Sequence, residues 1–228
     1  MKILLLILLA YSAYTVHPES QIMIMESFIS TDVAESLIQY YDAEKGNLNN
    51  SSDNEFSLSS MDNPHIKKII RDISEQVIQL MHRSYPLMGK NYQLDHAGLY
   101  ARIAHNYCPY HADNVYFYCP IHGGDQQQLR TICPGNCPGA KFVPNHTAWR
   151  EYTALIYLND EFEGGEITFE DGPHNRQYKK TIPIRANLLV LAPNGPDFYH
   201  EVFPIRKGKR YSLHLWFTSD PRYYSNKL

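Results

Sequence analysis

Three side chains in this sequence could share one metal ion. His111-Ala112-Asp113 puts an imidazole and a carboxylate two residues apart, and positions two apart on an extended backbone project to the same side. The pair alone says little. His17-Pro18-Glu19 has the same form, and most of the 11 histidines need no metal. Residues further along the chain give it weight. His200 stands just after a strand-like run, Asn187–Ala192, and the turn Pro193-Asn194-Gly195-Pro196. Ten positions on, Arg210 opens an alternating segment and is followed by Ser212 as Arg-x-Ser. Two imidazoles and one carboxylate fill one face of a six-coordinate Fe(II) and leave three positions for reactants. An arginine in the same barrel can grip a remote carboxylate with two parallel hydrogen bonds. Lys207 and Lys209 read as a solvated basic turn, from which Arg210 is set apart by its place on the mixed face of a strand.

These residues need a rigid frame. Two helices are expected first. One is capped by Ser30 or Thr31, with Val33, Leu37, Ile38 and Tyr41 on one face and Gly46 near its end. The other is capped by Asp62 or Asn63, has Pro64 in its first turn, carries the stripe Ile66, Ile69, Ile70, Ile73, Val77 and Leu80, and ends at Pro86. The Asn- and Ser-rich stretch 47–63 between them reads as a solvated loop. Beyond residue 95 the period changes to strands: Gly98–Ala104, Glu151–Leu158, Glu166–Phe169, Asn187–Ala192 and Tyr211–Thr218. In the last, Tyr211, Leu213, Leu215 and Phe217 alternate with Arg210, Ser212, His214 and Trp216, an apolar face against a mixed one. Trp216 reads as packing. The stretch from His105 to Trp149 has no clear period and reads as a long functional or covalently tied loop. The fold class expected is mainly β with supporting helices (α+β).

With these segments in view, the chain resembles the Fe(II)- and 2-oxoglutarate-dependent dioxygenases. Within them it is similar to the prolyl/lysyl hydroxylase branch, above all to prolyl 3-hydroxylase (leprecan-like) catalytic domains. The resemblance rests on His111-Ala112-Asp113-Asn114, on Arg150-Glu151-Tyr152-Thr153-Ala154-Leu155-Ile156-Tyr157-Leu158-Asn159-Asp160, on Glu163-Gly164-Gly165-Glu166, and on Gly208-Lys209-Arg210 through Leu215-Trp216-Phe217-Thr218 to Asp220-Pro221, spanning about residues 97–224. It implies a double-stranded β-helix, or jelly-roll, with the N-terminal α-helices packed on one face. It implies His111, Asp113 and His200 as iron ligands, Arg210 as the anchor of the distal carboxylate of 2-oxoglutarate, and Thr153, Tyr100 and Ser212 as further co-substrate contacts. The implied cofactors are Fe(II), 2-oxoglutarate, O2 and L-ascorbate. The implied reaction hydroxylates a protein or peptide side chain while 2-oxoglutarate is decarboxylated to succinate and CO2. Collagen prolyl 4-hydroxylases carry Lys where this chain has Arg210, which points to the 3-hydroxylase and lysyl-hydroxylase side. Two other readings of the same residues are a non-catalytic jelly-roll binding module and a zinc-dependent jelly-roll enzyme; neither needs the anchoring arginine.

Composition narrows the rest. With 228 residues there is room for one domain with a sizeable core. A net charge of −3 argues against a nucleic-acid partner, and 43% hydrophobic residues argue against disorder. Residues 1–16, Met1-Lys2 followed by an apolar run, read as a secretory signal peptide, or as a membrane anchor if uncleaved. Residues 17–228 then form one dioxygenase domain, with a helical part at about 25–90 and a β-helix core at about 95–222, in the endoplasmic reticulum lumen or secreted. Cys108, Cys119, Cys133 and Cys137 fit that compartment as disulfides, with three pairings open. A zinc site is the rival reading, although the spacing lacks paired C-x2-C knuckles. Sequons at Asn145-His146-Thr147 and at Asn49/Asn50 mark expected exposed, glycosylated surface. The insert between Asp113 and Arg150, holding three of the cysteines, is expected beside the iron as a substrate-shaping lid.

Overall fold

A computed structural model describes residues 18–45, 55–85, 89–103, 108–123, 129, 131–133, 137–172 and 178–225. The N-terminal apolar run, the Asn49/Asn50 sequon, Gly46 and Pro86 lie outside them.

The two helices form where their ends are capped. In α1 (Thr31–Lys45), the Ser30 hydroxyl accepts from the Val33 N–H at 3.3 Å, and Ala34, Leu37, Tyr40 and Tyr41 are buried. In α2 (Pro64–Ser84), Asn63 Oδ1 accepts from the His65 and Ile66 N–H groups at 3.0 and 3.2 Å. Pro64 occupies the first helical position, where a missing N–H costs nothing. The apolar stripe of α2 buries Ile66, Ile70, Ile73, Val77 and Met81.

Thirteen strands are described: β1 (Met23–Met25), β2 (Glu55–Ser57), β3 (Gln93–Ile103), β4 (Cys108–His111), β5 (Val115–Tyr118), β6 (Lys141–Pro144), β7 (Tyr152–Tyr157), β8 (Phe162–Gly164), β9 (Ile167–Glu170), β10 (Lys179–Ile182), β11 (Leu188–Pro193), β12 (Tyr199–Val202) and β13 (Ile205–Thr218). A large antiparallel sheet runs β1-β11-β7-β13-β3-β2, with β8 paired to the first part of β13. A smaller sheet runs β10-β9-β12-β4, and β5 and β6 pair as a separate ribbon.

Side-chain alternation divides the interior into layers. Ala154, Ile156, Leu189, Leu191, Leu213, Leu215 and Phe217 pack one face of the large sheet against α1 and α2. Their neighbours Leu155, Tyr157, Leu188, Val190 and Ala192 pack the opposite face against Ile167, Phe169, Ile182 and Val202 of the small sheet. The order is helices, large sheet, small sheet, which is the jelly-roll with helices on one face. Burial on both faces explains why β7 and β11 read as continuous apolar runs.

Two expectations are corrected. The stretch 47–63 is not all solvated loop: β2 pairs with β3, and Phe56 and Leu58 are buried against the helical layer. The segment from His105 to Trp149 is not free of strands either, since β4 joins the small sheet and β5–β6 form a ribbon. Asn63→Ala removes the α2 cap and should lower stability by about 1 kcal/mol. Urea unfolding should show a lower midpoint with an unchanged slope.

Candidate active site

The small sheet brings the metal-ligand types together. His200 on β12 pairs directly with His111 on β4, with ring centroids 4.4 Å apart. Asp113 lies two residues beyond His111, where the chain leaves β4. One ligand atom from each of the three lies within 4.8 Å of the others. Asp113 Oδ1 is 3.3 Å from His111 Nε2 and 3.9 Å from His200 Nε2.

Hydrogen bonds aim these atoms. Nδ1 of His111 lies 2.7 Å from the Pro109 carbonyl and Nδ1 of His200 lies 3.2 Å from the Phe198 carbonyl. A carbonyl only accepts, so both Nδ1 atoms carry protons and both Nε2 atoms turn toward Asp113. The carboxylate is divided in the same way. Oδ2 accepts from the Thr153 hydroxyl at 2.5 Å and from the Trp216 indole N–H at 2.9 Å, and Oδ1 faces the imidazoles. The Asp113 carbonyl is fastened by the Asn145 amide and the Thr147 hydroxyl, at 3.1 and 2.5 Å. Asn145 is therefore half-buried and engaged through its amide nitrogen, contrary to the exposed glycosylated surface expected there.

The charges are set by the same neighbours. Burial opposes charge on Asp113, but His111 and His200 overcome it and hold the carboxyl well below its usual range. Burial and the nearby His111 pull His200 down to about 4, so it is neutral at pH 7. Burial also opposes charge on His111, yet its hydrogen bonds to Asp113 and Cys108 raise it well above its ordinary value. An ionised carboxylate and a neutral imidazole thus stand ready beside one imidazole that holds a proton where a cation would sit.

Arg210, on the mixed face within β13, is 2% exposed and shares one pocket with these residues. Its Nη1 donates to the Gly165 carbonyl at 2.8 Å, while the buried Nε has no partner. Among the described residues no carboxylate pairs with it. Burial lowers its pKa, and Tyr157, 5.7 Å from the guanidinium, only partly compensates. A buried guanidinium with an idle donor fits the carboxylate of a bound dicarboxylate. The donor set of His111, Asp113 and His200 fits Fe(II).

The remaining expected residues divide. Tyr100 lines the pocket and stacks on His214, with ring centroids 4.2 Å apart. Thr153 also lines it, but its hydroxyl is committed to Asp113. Ser212 is fully buried and bonded to His214 Nε2 at 2.9 Å, and it is not among the pocket-lining residues. Trp216 does more than pack, because it orients Asp113. Arg102, Tyr157 and His214 also line the pocket, although the sequence does not single them out as site residues. The shared mixed face of β13 was the available signal for His214 and Trp216.

Comparisons with known proteins identify the chain's relatives. The 2OG-Fe(II) oxygenase superfamily matches residues 98–218, more than half of the chain. Prolyl 3-hydroxylase 2 from Homo sapiens is 37% identical over 83 residues, covering 36% of this chain and 11% of that protein. Prolyl 3-hydroxylase 3 from Homo sapiens is 28% identical over 126 residues, covering 50% and 17%. The chain thus spans less than a fifth of the length of these curated relatives. Among solved structures, a viral collagen prolyl hydroxylase from Paramecium Bursaria Chlorella virus-1, in its 2OG complex, superposes with a TM-score of 0.58 at 15% identity, covering 89% of this chain and 98% of that one. A prolyl hydroxylase from Trichoplax adhaerens, in complex with a hypoxia inducible factor peptide fragment, has a TM-score of 0.57 at 18% identity, covering 87% and 84%. Both share the fold.

Two measurements test this arrangement. Removing either donor to Asp113 Oδ2, by Thr153→Val or Trp216→Phe, should weaken divalent-metal binding about 10–100-fold, as loss of outer-shell partners does, measured by titration with Mn(II). Binding should also release a proton, because the ion displaces the one on His111, so affinity should climb with pH through the raised His111 pKa. Calorimetry in buffers of differing ionisation enthalpy measures this; proton uptake would contradict it.

Proposed function

Because the chain belongs to the 2OG-Fe(II) oxygenase superfamily, we propose that it is a dioxygenase hydroxylating a C–H bond of a protein or peptide side chain, with proline as the residue class its relatives' names point to. The observation that carries this reading is a buried, carboxylate-free guanidinium, Arg210, in the pocket that also holds two Nε2 atoms and Asp113 Oδ1.

His111, Asp113 and His200 would hold Fe(II), and Arg210 would take the distal carboxylate of 2-oxoglutarate. Bound there, Fe(II) and 2-oxoglutarate supply an O2-dependent oxidation coupled to decarboxylation to succinate and CO2. The protein's share is positioning. Pro109 and Phe198 fix the imidazoles through their carbonyls, and Thr153 and Trp216 fix the carboxylate. Tyr100 is assigned a co-substrate contact, and the apolar walls of Leu155, Tyr157 and Val202 help exclude water from the pocket. L-ascorbate is assigned the task of keeping the metal ferrous. We place the protein in the secretory pathway on the apolar run at 1–16, with a protein or peptide partner as substrate. A binding module or a zinc hydrolase would have no use for Arg210 unpaired in the pocket.

Incubation with Fe(II), 2-oxoglutarate, ascorbate and proline-containing peptide libraries should give succinate and a singly oxygenated peptide. His111→Ala should abolish both. Arg210→Ala should raise the 2-oxoglutarate KM about 10–100-fold, the loss expected for hydrogen bonds to a charged group, with a smaller change in kcat. Succinate formation by His111→Ala at the wild-type rate would overturn the assignment.

A further inference from the structure

A second cluster of ligand-type side chains lies in the insert beyond Asp113. Cys119, His122, Cys133 and Cys137 each present a donor atom within 4.8 Å of the others. The expected disulfides are not formed; all four cysteines of the chain carry thiols. Cys108 packs with a different core cluster and approaches His111 instead, so the three clustered cysteines could not all be paired by disulfides among themselves.

The spacing within the cluster is that of a metal site. The sulfurs of Cys133 and Cys137 are 3.6 Å apart, close to the ~3.8 Å edge of a tetrahedron with ~2.3 Å zinc–sulfur bonds. In sequence the ligands read Cys119-x2-His122 and Cys133-x3-Cys137, two short pairs. A turn across the first pair is closed by Gly123 N–H donating to Cys119 O at 2.9 Å, and the second pair is flanked by Cys133 N–H to Leu129 O and Ala140 N–H to Cys137 O, both at 3.0 Å. Burial opposes ionisation of Cys119, yet the N–H groups of His122 and Ile121 and the neighbouring thiols lower its pKa. Burial and the neighbouring Cys133 and Cys119 thiols raise Cys137. Three sulfurs this close cannot all ionise without a cation among them.

We propose that Cys119, His122, Cys133 and Cys137 bind a structural zinc ion, separate from the His111–Asp113–His200 site. A set of three thiolates and one imidazole is soft and closed, which suits zinc and leaves no open position for a reactant. The ion clips together the two ends of the segment between β5 and β6. Cys119 directly follows β5 and Cys137 precedes β6, so the clip closes the base of the chain that leaves the ribbon. Cys119 and Cys133 pack with Tyr110, Ala112 and Tyr199, the neighbours in sequence of His111, Asp113 and His200. The zinc thereby braces the strands that carry the other site.

The test is metal analysis of the purified full chain. One equivalent of zinc should survive dialysis against EDTA and leave on titration with a mercurial, as three thiols become reactive. Replacing zinc by Co(II) should give thiolate-to-cobalt charge transfer in the near ultraviolet and the visible bands of a tetrahedral site. His111→Ala combined with His200→Ala should keep both signatures, even if the oxygenase reading fails, whereas Cys133→Ser should lose them. If Cys133→Ser does not fold, the mercurial and Co(II) measurements on the unaltered protein decide. Zinc well below one equivalent, a disulfide within the cluster by mass, or loss of zinc in the double histidine variant would overturn the proposal.

Discussion

One buried carboxylate organises this molecule. Asp113 has two oxygens in different surroundings: Oδ2 is occupied by the Thr153 hydroxyl and the Trp216 indole, and Oδ1 looks toward two imidazoles. An ionised carboxylate buried without such partners is untenable. The surrounding elements therefore have to deliver donors from several directions at once. β7 supplies Thr153, β13 supplies Trp216, β12 supplies His200, and residues between β6 and β7 clasp the Asp113 backbone. The layered fold is the arrangement in which all of these reach one point.

Arg210 poses the complementary problem with the opposite sign. It is a cation sunk in the same pocket, with a carbonyl and a tyrosine ring for company but no carboxylate among the described residues. Proteins seldom leave a buried charge so poorly matched unless something else completes it. The pocket thus contains an anionic end where a cation fits and a cationic end where an anion fits. Those two oppositely charged ends, a few side chains apart, restrict what can lodge between them.

Much of this could be read from the residues, because the informative signals are local. His111 and Asp113 form a two-residue pattern, Arg210 sits at the head of an alternating run, and the α2 cap and stripe lie within one helix. What escaped depends on partners distant in sequence. β4 and β12 are four residues each, too short for alternation to show, and Pro109 interrupts the first. Phe56 becomes core only because β2 finds β3, despite its Ser- and Asn-rich surroundings. The role of Trp216 depends on where its indole N–H points, which the register of β13 with β7 decides. His122 is one histidine among many until the chain folds it onto three cysteines, and without it the cysteine spacing looks unlike a metal site.

The length of β13 has a consequence of its own. From Arg210 to Phe217 it carries both the inner face of the helical core and the wall of the pocket, on alternate residues. A slip of one position would exchange the two faces, sending Leu213 and Leu215 into the cavity and His214 and Trp216 under the helices. Lengthening or shortening this strand is therefore a matter of parity. Changes by two residues preserve the sidedness on which both layers rely, and changes by one invert it.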